Sequence, residues 1–376
     1  MSAPDRPASG AERRTSPVEL LWDLVFVFAI TQVTTLLAHR LTWAGAGRSL
    51  IVLALVWWAW SAFVWAANAA GSERSVREAL LPASVAVLIV GIAIPRAFGA
   101  EATLFAATYA AVRFLHLGLY VDASRRGNAS LRAIMGFAVT VSAGMGLLLA
   151  GSFGGGTERA VLWTLAVAID YAGPGLLTRK SLRGLQEVAV GHFAERYGLF
   201  VIICLGESIA ALGANAAAGA LTVAAVVAVG LGALITVGMW WAYFGRSADL
   251  AEERLRAHED PVLAAADAYS YMHLLLVAGI IAFAAGARVL ARHADAALAD
   301  APRLALCGGV ALYLLGLAAF RRRLSGSWGR ERLLAAAALI GSWALTAHVT
   351  AWVLAAVVAT VVGALCAVEG ASAQRD

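Results

Sequence analysis

One apolar segment of the chain reads Glu19-Leu-Leu-Trp-Asp-Leu-Val-Phe-Val-Phe-Ala-Ile-Thr-Gln32, and a second reads His192-Phe-Ala-Glu-Arg-Tyr-Gly-Leu-Phe-Val-Ile-Ile-Cys-Leu-Gly-Glu-Ser208. Each segment has a carboxylate near its start, continues through Val, Phe and Ile, and carries another polar side chain about 12 residues later. At about 1.5 Å per helical residue this spacing is roughly 18–20 Å, more than half of the hydrocarbon depth of a bilayer. Ionisable groups at such depth cost about 2.5–3.5 kcal/mol each, so they mark candidate functional positions.

The composition of the whole chain indicates a membrane protein. Hydrophobic residues make up 61% of the chain and charged residues 14%, and the mean hydropathy is +0.77. These values lie outside the range of soluble domains. We therefore predict an all-α, polytopic transmembrane helix bundle of about 12 helices, or 11 if the last two segments form one helix. The predicted segments are 18–38, 49–67, 79–98, 102–121, 131–151, 160–177, 193–213, 221–244, 267–290, 303–320, 332–348 and 350–368.

The distribution of Lys and Arg predicts the orientation of these helices. If the N-terminus is cytoplasmic, 21 of the 29 basic residues lie in or beside cytoplasmic segments and seven lie in outer loops. This bias predicts that both termini are cytoplasmic. The basic pI of about 9.4 thus reflects topology and does not indicate a nucleic-acid partner.

Matching residues in the two halves of the chain predict an internal repeat. Glu19 and Glu195 correspond at an offset of 176 residues, Trp57 and Trp240 at 183, and Tyr109 and Tyr313 at 204 in the second half. Because six is an even number, two six-helix units would share one orientation in the membrane. The predicted organisation is a cytoplasmic tail, a first repeat, a linker, a second repeat and a second cytoplasmic tail, over residues 1–17, 18–178, 179–191, 192–368 and 369–376.

Most of the candidate functional residues fall in one layer, in the predicted cytoplasmic half of the bundle. They are Glu19, Asp23, Arg113, His116, Asp170, Glu195, Arg196 and His273. Opposite charges within this layer predict ion pairs of Arg113 with Asp23 or Asp170, and of Arg196 with Glu19 or Glu195. Such pairs act either as a gate or proton relay, or only as links between helices.

Glu207 and Gln32 are the candidates in the outer half. Glu207 lies about 14 residues into predicted helix 7 with no other charge close to it in sequence, which suits proton or cation handling. Its counterpart in the first repeat lies near Thr31 and Gln32. Gly206 and Gly213 predict a close approach by a neighbouring helix.

Motifs of soluble enzymes do not account for these residues. The sequence has no H-E-x-x-H, G-x-S-x-G, phosphate-binding loop or dinucleotide fingerprint in a suitable context. Its three cysteines all lie in apolar segments, so we predict neither a disulfide nor a metal site. No cofactor is predicted.

The two quoted segments resemble the hallmark segments of the bacterial low temperature requirement A (LtrA) family, and Arg113-Phe-Leu-His-Leu117 is similar to a third. The resemblance covers nearly the whole chain, and Trp22 departs from the Phe expected before the Asp. It implies a multi-pass protein of the bacterial inner membrane and no settled activity. The first segment also resembles the first helix of non-canonical potassium channels, which implies a path lined by the first helix of each unit.

Three functions fit these observations. The leading hypothesis is a protein that moves a small ion or solute along a path lined by predicted helices 1 and 7. The alternatives are a membrane enzyme acting on lipid or lipid-linked substrates, with Glu207 or His116 as general base, and a membrane scaffold without turnover. The sequence leaves the oligomeric state open.

Overall fold

The computed structural model describes residues 15–70, 72–177, 179–182, 185–217 and 222–373. Most of the predicted N-terminal tail, two residues of the predicted linker and the last three residues of the C-terminal tail lie outside the described residues. The described chain is helical throughout and forms no sheet, since its one bridge joins Ala297 to Thr350 in isolation. The prediction of an all-α bundle is confirmed.

Every one of the 12 predicted segments overlaps a long helix. These are α1 (Pro17–His39), α2 (Trp43–Ala69), α3 (Glu73–Ala93), α4 (Ala102–Arg125), α5 (Leu131–Phe153), α6 (Gly156–Ala172), α8 (Val190–Ala217), α9 (Val223–Phe244), α12 (His273–Arg292), α13 (Asp300–Ser325), α14 (Arg330–Leu345) and α15 (Ala351–Ala373). Ten described spans are long and apolar enough to cross a membrane, so the chain is a multi-pass membrane protein. The regular parts of α6 and α14 are shorter, at 17 and 16 residues.

Three shorter helices and two π-helical turns interrupt this pattern. The short helices are α7 (Arg179–Leu182), α10 (Ser247–Arg256) and α11 (Pro261–Ala265). One π-helical turn, Gly173–Leu177, follows α6 directly, and the other, Ala266–Met272, joins α11 to α12. Single π turns inside longer helices are rare and are frequent at functional sites.

Polar residues just before the helices set where several of them begin. The hydroxyls of Thr42, Ser72, Ser130 and Thr222 each accept a hydrogen bond from a backbone N–H of the first turn of α2, α3, α5 or α9. Such caps satisfy backbone donors that the helix itself leaves without a partner. Helix α15 continues to Ala373, which is beyond residue 369, where the C-terminal tail was predicted to begin.

Glycines bring α12 and α13 into backbone contact. A Cβ added to Gly279 would lie 2.5 Å from the Tyr313 nitrogen, and one added to Gly286 would lie 2.6 Å from the Leu306 nitrogen. Small residues allow this approach in membrane bundles, where van der Waals packing drives association. The prediction for Gly206 and Gly213 is wrong, since a Cβ at either position would meet no atom within 4 Å.

The halves of the chain meet around α12, which packs against α1 and α2 of the first half and against α8, α9 and α13 of the second. Helices α1 and α8 also contact each other directly. The contact between α1 and α8 therefore lies inside the bundle, and it carries the two charged clusters described next.

Candidate functional site

The first cluster surrounds Arg196 near the start of α8. Its guanidinium lies 3.1 Å from Glu19 Oε1 and 2.7 Å from Asp23 Oδ1, so one arginine of α8 binds two carboxylates of α1. The Trp60 indole N–H donates to the same Asp23 oxygen at 2.8 Å, and His192 Nε2 lies 3.3 Å from Glu19 Oε1. We call these five residues the Arg196 cluster. The ion pairing of Arg196 with Glu19 is confirmed, and Asp23 is an additional partner.

Glu19 also caps the start of α1, a role that was not predicted from the sequence. The backbone N–H and the hydroxyl of Ser16 both donate to Glu19 Oε2 at 2.8 Å, which closes a capping box at the start of α1. The spacing of Ser16 and Glu19 is the signal for this motif. By contrast, Glu195 is exposed and accepts a hydrogen bond from Thr15. Glu195 therefore does not belong to the buried layer in which the sequence placed it.

The second cluster surrounds Glu207, in the other half of the α1–α8 contact. Arg288 of α12 donates to Glu207 Oε1 at 2.9 Å and to the Thr35 hydroxyl at 3.0 Å, and the Thr31 hydroxyl donates to Glu207 Oε2 at 2.5 Å. We call these four residues the Glu207 cluster. Two expectations are corrected here. Glu207 pairs with Arg288 of α12, a partner that the sequence did not indicate, and of the two predicted positions on α1 it bonds to Thr31 and not to Gln32.

A third group of charges lies in the first half of the chain. Arg113 of α4 donates to Asp170 of α6 at 2.9 Å, and each side chain is only 2% exposed. This pairing is one of the two that the sequence predicted. Its geometry is incomplete, because Arg113 Nε, Arg113 Nη1 and Asp170 Oδ2 make no hydrogen bond within the described part of the chain. His116, one turn further along α4, is buried and has an unpartnered Nδ1.

These three side chains line a cavity of about 70 Å³. Its walls are apolar and aromatic, with Trp58 and Trp65 from α2, Tyr120 from α4 and Phe137 from α5. We call it the Arg113 cavity. Its mixture of apolar walls and a few convergent polar groups is typical of small-molecule sites, but such sites usually measure about 300–1,000 Å³, so in the observed state this cavity has room for only a very small molecule.

Both π-helical turns contribute to this cavity. Pro174 belongs to the turn after α6, and Ala266, Ser270 and Tyr271 belong to the turn before α12. The second turn brings residues from the second half of the chain against a pocket built mainly by the first half. The Arg113 cavity therefore lies between the two halves.

A network of hydroxyls connects the cavity to α8. The Ser270 hydroxyl lies 3.0 Å from both the Ser61 and the Tyr197 hydroxyls, and the Trp65 indole N–H donates to it at 2.8 Å. The Ser61 and Tyr197 hydroxyls are also 2.7 Å apart. The ring of Tyr197 also packs against that of Trp60, with the centroids 4.8 Å apart, so the network touches the Arg196 cluster.

The start of the second π turn is held by ion pairs. Arg179 donates through both terminal nitrogens to Asp267, each at 2.7 Å, and Arg323 of α13 donates to the same carboxylate at 2.8 Å. Hydrogen bonding to Asp267 raises the pKa of Arg179, which lies outside the membrane-spanning helices. The turn is thereby fixed both to the linker and to α13.

His273 has no access to the cavity lining. It is fully buried, its Nδ1 donates to the Ala268 carbonyl at 3.0 Å, and its Nε2 accepts from the Tyr243 hydroxyl at 2.8 Å. Both ring nitrogens are therefore satisfied by the protein. This histidine closes the second π turn against α9 and is a packing residue in this structure.

Similarity to known proteins identifies the family. The family model of the bacterial low temperature requirement A protein (LtrA) matches residues 14–367. An uncharacterized protein of Rhizobium meliloti (strain 1021) is 30% identical over 312 residues, which cover 81% of this chain and 76% of that protein. No solved structure matches the chain significantly. Since the family model covers almost the entire chain, the protein belongs to the LtrA family.

Proposed function

We propose that this LtrA-family protein moves a small solute across the membrane and holds it in the Arg113 cavity. The observation that carries the proposal is the set of unpartnered polar atoms of Arg113, His116 and Asp170 around this pocket. A buried donor or acceptor without a partner costs about 1–3 kcal/mol, so a ligand that supplies the missing partners is favoured.

The chemistry of the lining suggests the class of solute. The nitrogens Nε and Nη1 of Arg113 each offer a charged donor to an oxygen acceptor, such as an oxygen of a carboxylate. Asp170 Oδ2 offers an acceptor for an amine or hydroxyl, and the rings of Trp58 and Phe137 suit an apolar body. A small organic acid or zwitterion fits this combination.

The two π-helical turns support transport in particular. Solute sites in secondary transporters are typically formed by discontinuous helices at the interface between structural repeats. Here two π-helical turns, Gly173–Leu177 and Ala266–Met272, contribute to the lining of one cavity between the two halves. Such turns depart from regular α-helix and are frequent at functional sites.

The α1–α8 contact would supply the gates. In the observed state the Arg196 cluster and the Glu207 cluster close this contact at two levels. Opening on one side then requires that the ion pairs at that level separate and become solvated. In this proposal α1 and α8 line the path and form its gates, and the solute binds in the Arg113 cavity beside them.

An internal repeat is part of the same proposal. The Tyr109 hydroxyl of α4 donates to the Leu55 carbonyl of α2, and the Tyr313 hydroxyl of α13 donates to the Met239 carbonyl of α9. The two tyrosines are matching positions under the predicted repeat, and the acceptor Met239 lies one residue after Gly238, the position that matches Leu55. Thr31 and Glu207 also bond across the α1–α8 contact at a separation of 176 residues, the offset of the first helices. We place the protein in the bacterial inner membrane with both termini cytoplasmic.

Uptake by proteoliposomes tests the proposal. Purified protein would be reconstituted and assayed with radiolabelled acetate, benzoate, glycine and phenylalanine, and with K⁺, Na⁺ and H⁺ flux. The test variant is Arg113→Gln with Asp170→Asn, which neutralises the pair without leaving one charge buried alone. Loss of charged hydrogen bonds worth about 1.5–3 kcal/mol predicts that uptake affinity falls by at least about tenfold.

The matched control is Arg303→Gln with Asp300→Asn, which removes an ion pair of α13 outside the cavity. This variant should transport like the wild type. If the two double variants are equally affected, or if folded wild-type protein moves none of the probes, the proposal fails. A probe that is chemically altered rather than moved would instead favour the membrane enzyme.

A further inference from the structure

A second cavity, of about 510 Å³, lies where α13 and α15 end and α14 begins. Helix α10 covers one side of it. This cavity shares no lining residue with the Arg113 cavity. It therefore needs a separate explanation.

The lining is rich in arginine. Four arginines face two glutamates, so positive charge is in excess; the residues are Arg246, Arg254, Arg321, Arg332, Glu331 and Glu369. Guanidinium groups recognise phosphate through bidentate, charge-assisted hydrogen bonds. An anionic group of that kind would balance the excess charge.

Arg332 is the deepest of these groups, with a side chain only 4% exposed. Its Nε donates to Glu369 at 2.6 Å and its Nη2 donates to the Ser247 hydroxyl at 2.7 Å. Its Nη1 is buried without a hydrogen-bond partner among the described residues. A buried guanidinium nitrogen at a cavity wall points to a ligand with an oxygen acceptor.

Exposed tryptophans mark the depth of this cavity in the membrane. Trp240 and Trp241 near the end of α9 and Trp328 between α13 and α14 are 42%, 48% and 49% exposed. Tryptophan is enriched at the level of lipid headgroups, where its ring has an apolar body and a polar edge. Helix α10 begins beside them, with Ala251 and Leu255 buried and charged residues on its other face. Helix α10 thus packs its apolar face on α8, α9 and α13, at the level of these tryptophans.

We infer that this cavity binds the phosphate headgroup of an anionic membrane lipid. Basic pockets between membrane helices are suited to such headgroups, and the apolar side chains of Leu250, Leu324 and Val368 in the lining provide contacts for the lipid beyond its phosphate. Val368 is 57% exposed on α15, so an apolar surface continues outward from the cavity. Free phosphate would use the same arginines but not these apolar contacts.

Lipid binding to the intact protein in detergent tests this inference by native mass spectrometry. The probes are phosphatidylglycerol and phosphatidylcholine with identical acyl chains. The test variant is Arg254→Gln, and its matched control is Arg256→Gln on the same helix, since Arg256 is not part of the lining and pairs with Glu252. We expect wild-type protein to bind phosphatidylglycerol preferentially, Arg254→Gln to bind it about fivefold more weakly, and Arg256→Gln to bind it unchanged.

A second variant, Arg321→Gln, gives an independent test at a position that is partly exposed. The inference is wrong if phosphatidylcholine binds as well as phosphatidylglycerol, or if Arg254→Gln and Arg256→Gln behave alike. If excess inorganic phosphate removes the bound lipid completely, the site is one for a free anion and the lipid assignment fails. The readout is binding alone, so it is independent of whether the protein transports a solute.

Discussion

At the scale of single residues, Arg196 holds the contact between α1 and α8 together. It is 1% exposed and bonds to both Glu19 and Asp23. Removing one partner of a buried ion pair costs about 3–5 kcal/mol, because the remaining charge stays buried without compensation. We therefore expect Arg196→Met to lower the free energy of unfolding by about 3–5 kcal/mol. Unfolding of the purified protein in detergent would measure it.

The control for that prediction neutralises all three charges. The triple variant combines Arg196→Met with Glu19→Gln and Asp23→Asn, so none of these three positions keeps a charge without its partner. The glutamine at position 19 can still close the capping box with Ser16. Most of the lost stability should return. A triple variant that is less stable than Arg196→Met would contradict this account.

Glu207 and Arg288 should show coupled effects. Glu207→Gln leaves Arg288 without its carboxylate, and Arg288→Gln leaves Glu207 with Thr31 alone among the contacts of the Glu207 cluster. Residues in one hydrogen-bonded ion pair have interaction energies of about 0.5–3 kcal/mol. A double-mutant cycle of unfolding free energies should give an interaction energy in this range. If the effects of the two substitutions simply add, the two side chains do not stabilise each other and the prediction is wrong.

These residues also mark how far the sequence could predict the site. The pairs Arg113–Asp170 and Arg196–Glu19 could be predicted, because few opposite charges were available in one layer. The pairing of Glu207 with Arg288 was missed although Arg288 lies within predicted segment 267–290, because hydropathy does not show which faces of two helices meet. Helix ends are set by capping and packing, which a hydropathy pattern does not define closely.

At the scale of helices, the α12–α13 contact depends on glycine. A Cβ at Gly279 would lie 2.5 Å from the Tyr313 nitrogen and 2.7 Å from the Gly309 oxygen, and neither backbone atom can move aside easily. We expect Gly279→Ala to destabilise the protein by about 1–3 kcal/mol through overpacking. The control is Gly341→Ala in α14, where a Cβ would meet no atom within 4 Å. Equal thermal stability of the two variants would contradict the packing described here.

The π-helical turns could not be predicted from the sequence. The segment Ala266–Met272 continues into the apolar helix that follows it, and predicted helix 9 therefore begins within this segment, at residue 267. A π turn is stabilised by its tertiary contacts, here the bonds of Ser270 with Trp65 and Tyr197. Those contacts come from α2 and α8, which are distant in sequence. For this reason the Arg113 cavity was not foreseen, although Arg113, His116 and Asp170 were.

At the scale of the whole molecule, the hydropathy pattern predicted the helices well and their arrangement poorly. Each of the 12 predicted segments overlaps a helix, and ten of the described spans have the roughly 20 apolar residues that a bilayer crossing needs. The central position of α12 and the cavity between the halves depend on side-chain packing, which has no simple signature in the sequence.

The predicted orientation of the chain in the membrane can be tested with reporter domains. The bias of arginine in the loops predicts that both ends of the chain lie on the cytoplasmic side. Reporter domains fused to either end should therefore be active only in the cytoplasm. A reporter at one end that is active outside would contradict an even number of crossings.

The most direct test of the central claim asks whether the Arg113 cavity can be reached from both sides of the membrane. Ala62 lines the cavity and would be replaced by Cys after Cys204, Cys307 and Cys366 have been changed to Ala. The control is Ala166→Cys, at a position that is fully buried outside the lining. A membrane-impermeant thiol reagent would be added to sealed vesicles of either orientation. We predict that the Ala62→Cys variant is modified from both sides and the Ala166→Cys variant from neither, whereas modification of Ala62→Cys from one side only would contradict a transport path.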